Sequence, residues 1–109
     1  MMIEINSANF SKEVESSDMP VFIDFWASWC GPCRLMSPVF EELSKDYEKK
    51  IKFAKLNVDE SQDIAARYGV MSIPTLVLFN KGTEVDRIVG FTPKPALKAK
   101  IEALAKKVK

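Results

Sequence analysis

The sequence predicts a single α/β domain: a mixed sheet, parallel in its early part, with helices on both faces. Three features of the 109-residue chain carry that expectation. Strand-like and helix-like stretches alternate as far as residue 79, and the last two strand-like stretches are joined by a tight turn. Residues 21–27, Val-Phe-Ile-Asp-Phe-Trp-Ala, are apolar on both sides except at Asp24, the mark of a strand covered on both faces. The length suits one domain spanning 1–109.

Each element follows from local pattern. Residues 2–5 read as a short edge strand, and Ser7 is placed to cap a short helix that buries Phe10 and Val14, four apart on one face. Ser17-Asp18-Met19-Pro20 is loop, and residues 21–27 are the buried strand. From Pro32 to Lys49, Leu35, Met36, Val39, Phe40, Leu43 and Tyr47 recur at helical spacing, with Pro38 inside the run and expected to kink it. Residues 51–58 read as a second strand, and 59–68 hold a short helix with Gly69 suited to its left-handed C-terminal cap. Residues 75–79 are a third buried strand, Asn80-Lys81-Gly82 a turn, and 84–89 its hairpin partner. Pro93 or Pro95 opens a last helix with Leu97, Ile101 and Leu104 on its apolar stripe. The pattern leaves the order of strands in the sheet open.

Composition narrows the function. Sixteen basic and fifteen acidic residues give a formal net charge of +1, a balance that argues against a dedicated nucleic-acid binder. The C-terminal stretch holds Lys94, Lys98, Lys100, Lys106, Lys107 and Lys109 against Glu102, and it reads either as a solvated basic helix or as a docking patch. No apolar run nears the roughly 18 residues of a membrane span. The N-terminus lacks the basic start and apolar core of a secretory signal, so a cytoplasmic location is the default expectation. Nothing in the sequence suggests more than a monomer. The chain has no histidine, which removes Ser-His and Cys-His nucleophile pairs and histidine metal ligands together.

The chemistry concentrates at Trp29-Cys30-Gly31-Pro32-Cys33. Cys30 and Cys33, the only cysteines, fall one turn apart at a helix start, near enough to form a disulfide. Unpaired backbone N–H groups and the helix dipole converge on Cys30 and favour its thiolate, the form that attacks disulfides. Pro32 stiffens the first turn, and Gly31 is expected to turn tightly and leave the first sulfur uncovered. Other uses of two cysteines fit poorly. A structural zinc site needs four ligands, and a haem attachment site needs histidine where Arg34 stands. A structural disulfide over so short a loop would constrain little of the unfolded chain. No metal site is expected. Asp24 is the second chemical signal. A carboxylate inside a buried strand is costly unless paired or protonated, and burial would raise its pKa. It is either a proton acceptor and donor for the deeper sulfur or a structural acid bonded to backbone or a lysine.

These residues also carry a resemblance. The stretch Asp24-Phe25-Trp26-Ala27-Ser28-Trp29-Cys30-Gly31-Pro32-Cys33 resembles the active-site strand and loop of the thioredoxin family nearly letter for letter. Further matches follow in order: Pro38, Lys55-Leu56-Asn57-Val58-Asp59, Tyr68-Gly69-Val70, Ile73-Pro74-Thr75 and Val89-Gly90. The resemblance implies a thioredoxin fold with a central five-stranded mixed sheet. It implies a protein-disulfide reductase, with Cys30 attacking and Cys33 resolving, that maintains cell redox homeostasis. Asp24 would be the buried acid for Cys33 with Lys55 near it, and Gly31 and Pro32 would tune the redox potential. Pro74 would be a cis-proline presenting the backbone of Ile73 to an extended substrate strand. Gly90 and Trp29 would line the same surface, although Trp29 also reads as an aromatic that covers the loop. Partners would be disulfide-containing protein substrates and a separate thioredoxin reductase, since no flavin or nicotinamide motif is present and no cofactor is expected.

The chain departs from the family's common pattern at Arg34, where lysine is frequent, and at Met71-Ser72, where bacterial members often carry arginine or glycine. Both sites bear on partner choice. Two other functions compete. One is disulfide oxidation or isomerisation by the same dithiol, against which Gly-Pro between the cysteines argues. The other is a non-catalytic binding module built on Trp29, Pro74 and Gly90.

Overall fold

The computed structural model describes residues 2–108, so Lys109 and the outer limits of the expected 1–109 domain lie outside it. Five strands, β1 (Ile3–Ile5), β2 (Val21–Trp26), β3 (Lys52–Asn57), β4 (Thr75–Asn80) and β5 (Thr83–Val89), form one sheet in the order β1-β3-β2-β4-β5. The first three run parallel, β4 runs antiparallel to β2, and β5 pairs antiparallel with β4. β2 takes the middle position, which accounts for its two apolar faces: each side meets a core and neither edge meets water.

Helices α1 (Gly31–Ser44), α2 (Gln62–Arg67) and α3 (Lys94–Ala105) complete the layers. Phe22, Phe53, Leu76 and Leu78 pack with Met36 and Phe40 of α1 and Leu97 and Ile101 of α3. Ile23, Phe25, Leu56, Val77 and Phe79 point the other way and pack with Phe10, Val14 and Ile64. Phe22, Phe40 and Phe53 meet pairwise with ring centroids 5.0–5.7 Å apart, the spacing at which tilted and edge-on aromatic contacts add to simple burial.

Several local expectations are corrected. Ser7 does not cap the first helical segment. The Asn6 side chain accepts from the backbone N–H groups of Ala8 and Asn9, while the Ser7 hydroxyl donates to Asp63, and the segment that buries Val14 is a π-helical turn over Ser11–Glu15. The long helix stops at Ser44 rather than Lys49. The N–H groups of Lys45, Asp46 and Tyr47 turn to carbonyls three residues back, tightening the chain into successive turns. Ile51 lies in a bend before β3 rather than in the strand, though its side chain is buried. Helix α1 runs on through Pro38, whose missing N–H removes the one bond that would reach the Arg34 carbonyl. The second helix is shorter than its pattern, because the Asn57 side chain accepts the N–H of Asp59 and its carbonyl those of Glu60 and Ser61, holding the preceding residues in turns. Gly69 does take the left-handed conformation, with φ 62°. In the basic C-terminal stretch, Lys94 pairs with Glu42 and Lys107 with Asp86, and both pairs are exposed. No helix among the described residues is long and apolar enough to cross a membrane.

Candidate active site

The site lies where β2 ends and α1 begins. Cys30 is the N-cap of α1, in extended conformation, and its sulfur accepts the N–H of Cys33 at 3.2 Å. The sulfur thus occupies the place of a capping oxygen, beside first-turn N–H groups that have no partner within the helix. Pro32, at the second helical position, gives up an N–H that would have had no such partner. Cys30 and Cys33 are joined as a disulfide, with Cα atoms 5.3 Å apart. Both are buried, Cys33 completely. Gly31 corrects an expectation: it has no left-handed φ, and a Cβ added there would meet nothing within 4 Å. Neither a strained turn nor crowding by the chain itself demands glycine, and Cys30 stays buried beside it.

The Ile73–Pro74 peptide bond is cis. It brings the Ile73 carbonyl to 3.9 Å from the Cys30 sulfur. Gly90 fixes the other side of this loop by donating its N–H to the Pro74 carbonyl at 2.9 Å. Its φ of 89° is one that side-chain-bearing residues rarely adopt, although a Cβ there would meet no atom. The Thr75 hydroxyl also ties to the loop through the Ser72 carbonyl. Around this backbone stand apolar side chains left open to solvent: Trp29, Met71, Val89 and Phe91, with Met71 96% exposed. Trp29 is anchored as well as exposed, because its indole N–H donates to Asp59 at 2.8 Å.

Asp24 lies beneath α1, on the face of β2 that also carries Phe22. It is buried, and burial raises its pKa from 3.8 to about 6, against the opposing pull of a hydrogen bond from Ser37 and the charge of Lys55. The Ser37 hydroxyl donates to Oδ2 at 2.5 Å, while Oδ1 is buried without a partner. Lys55 sits directly across the β2–β3 pairing from Asp24, with its ammonium over the Trp26 ring, 5.5 Å from the centroid. A cavity of about 280 Å³ opens between Cys33, Ser37, Trp26 and Lys55. Cys33 and Ser37 are one helical turn apart on α1 and line this cavity together, so the acid bonded to Ser37 lies on the side of the helix that carries Cys33.

Two groups, then, surround the disulfide: the Ile73–Pro74–Gly90 loop with its exposed rim on the outside, and Asp24 with Lys55 on the inside. Residue pattern alone did not bring forward Ser37 or Asp59. The signal for Ser37 was its place four residues after Cys33, on the face turned to the buried acid; Asp59 had no local signal, since its link to Trp29 spans thirty residues. Among the described residues no group of three or more potential ligand side chains could hold a metal ion.

A dithiol pair of this kind on a mixed sheet agrees with what similar proteins are. A family model described as Thioredoxin matches residues 1–103. A protein named Thioredoxin from Synechocystis sp. is 48% identical over 99 residues, 91% of this chain and 92% of its own length. One of the same name from Chlorobaculum thiosulfatiphilum is 50% identical over 99 residues, again 91% of this chain and 92% of its own. Thioredoxin M-type, chloroplastic, from Pisum sativum is 46% identical over 98 residues, 90% of this chain and 57% of the pea protein. With the family matched over nearly its whole length and a bonded Cys-x-x-Cys pair at the head of α1, the chain belongs to the thioredoxin family and is an oxidoreductase acting on protein disulfides.

Proposed function

We propose that the chain is a general reductase of protein disulfides in which Cys30 attacks and Cys33 resolves. The observation that carries this reading is the Cys33 N–H donated into the Cys30 sulfur at the N-cap of α1. Once the disulfide is reduced, the same donor and the dipole behind it stabilise a Cys30 thiolate. The thiolate attacks one sulfur of the substrate disulfide, forming a mixed disulfide and expelling a substrate thiolate. Asp24 then takes the Cys33 proton. The Cys33 thiolate attacks the Cys30 sulfur, the Cys30–Cys33 bond forms, and the second substrate thiolate leaves. Two electrons pass from the dithiol to the substrate.

The Ile73 carbonyl, 3.9 Å from the Cys30 sulfur, supports a role for Ile73 and Pro74 in holding substrate: it offers an edge of backbone beside Cys30 with which an extended segment can pair. Trp29, Gly90 and the apolar rim would hold that segment's side chains, with Met71 giving the adaptable contact of a flexible thioether. Lys55 would lower the cost of charge on Asp24, and Gly31 and Pro32 would tune the potential of the pair. The oxidised protein returns to the dithiol through a separate thioredoxin reductase. A reducing compartment, the cytoplasm, and a monomeric state suit this cycle, which would maintain cell redox homeostasis.

The test is capture. Cys33→Ser mixed with a disulfide-containing protein is expected to stop at the mixed disulfide through Cys30, giving an adduct on non-reducing gels that a reductant releases. No adduct with Cys33→Ser, or an equal adduct with Cys30→Ser, contradicts the assignment.

A further inference from the structure

Ser37 has no part in the cycle above, yet it is the residue that touches the buried acid. Its hydroxyl donates to Asp24 Oδ2 at 2.5 Å, the only hydrogen bond to that carboxyl among the described residues. The other oxygen, Oδ1, is buried and unpaired. Ser37 stands one turn beyond Cys33 on α1, and both line the same cavity. We propose that Ser37 is a positioning residue for the resolving step: its hydroxyl clamps Oδ2 and leaves Oδ1 as the free acceptor for the Cys33 proton. The inference rests on the reading of Asp24 as that proton acceptor.

The clamp serves both states of the acid. A hydroxyl donates to an ionised carboxylate, and it goes on donating to Oδ2 when the proton sits on Oδ1, so no partner has to change as the proton arrives. Donation to the charged form also opposes burial, which raises the acid's pKa. The other groups facing Asp24 do not supply this. From β3, Lys55 offers charge but makes no ion pair within 4 Å among the described residues, its ammonium lying over Trp26. From β1, Glu4 shares the same row across the sheet but is exposed. From β4, Leu76 is uncharged. On α1, Arg34 and Glu41 line the cavity and are exposed.

The experiment compares wild type, Ser37→Ala, Ser37→Thr and Asp24→Asn. Stopped-flow mixing with a chromogenic disulfide reports Cys33 attack as its second phase, and carbon-detected NMR follows the Asp24 carboxyl in the oxidised protein. Removing the hydroxyl is expected to raise the Asp24 midpoint by about one pH unit, which slows the second phase about fivefold at pH 6 and little above pH 8. Ser37→Thr restores both, and Ser37→Ala adds nothing to Asp24→Asn. If Asp24→Asn is slow but Ser37→Ala leaves the midpoint and pH profile unmoved, the inference fails and the reading of Asp24 stands. A uniform slowing at every pH with an unmoved midpoint marks Ser37 as packing only and likewise overturns it. If Asp24→Asn resolves at the wild-type rate, the reading of Asp24 fails and the inference falls with it.

Discussion

At the scale of single residues, the site depends on placing groups with opposite needs a few ångströms apart. Cys30 must ionise, so it sits at a helix N-cap with an N–H pointing at its sulfur. Cys33 has no exposed surface, so its proton needs a local acceptor. Asp24, held near pH 6 by burial against Ser37 and Lys55, is ionised in most molecules at neutral pH and still basic enough to accept. Asp24→Asn is accordingly expected to leave the first attack unchanged and slow resolution at least tenfold at pH 7, a modest share of what a positioned base contributes. The rise in resolution rate through about pH 6 should disappear with it. Single-turnover kinetics across pH check both, and unchanged second-phase rates would return Asp24 to a structural role.

At the scale of elements, the helix–strand junctions do the positioning. The β2 run and the α1 stripe were legible in the sequence because period and burial agree there. The end of α1 and the form of the first helical segment were not. They are decided by which carbonyl or side-chain oxygen reaches a free N–H, as at Lys45 and Asn6. Strand order was closed to sequence reading as well, because β2 and β4 pair although residues 27–74 separate them. In the site, Cys30, Cys33 and Asp24 stood out by residue type and local setting, whereas the cis bond before Pro74 followed only from resemblance. Ser37 and Asp59 act through contacts across the fold. The β5–loop junction can be tested by itself. At Gly90 the left-handed φ, not space, excludes side chains, so Gly90→Ala is expected to cost about 1–2 kcal/mol of stability. It should also raise KM for protein disulfides more than it lowers kcat. Denaturant unfolding with steady-state kinetics measures both, and a neutral substitution would show that the loop does not depend on this φ.

At the scale of the whole molecule, the buried acid links stability to pH. Its pKa is about 6 in the fold against 3.8 ordinarily, so the folded state binds the proton more tightly than the unfolded chain. Its contribution is full below about pH 4, falls as pH rises through 6, and amounts to about 3 kcal/mol lost above pH 7. Asp24→Asn is therefore expected to be more stable than wild type at pH 7.5, by an amount that shrinks as pH falls towards 4. Chemical denaturation at several pH values checks this, and equal stability at all of them would mean the carboxyl bears no such burden. A family member that keeps a destabilising acid under its disulfide is consistent with function set above stability at that position. The most direct test of the central claim is reduction of a protein disulfide by catalytic amounts of the chain with dithiothreitol as electron source. Wild type should accelerate the reduction over dithiothreitol alone, and Cys30→Ser should abolish the acceleration; an equal rate from the Cys30→Ser, Cys33→Ser double variant would contradict it.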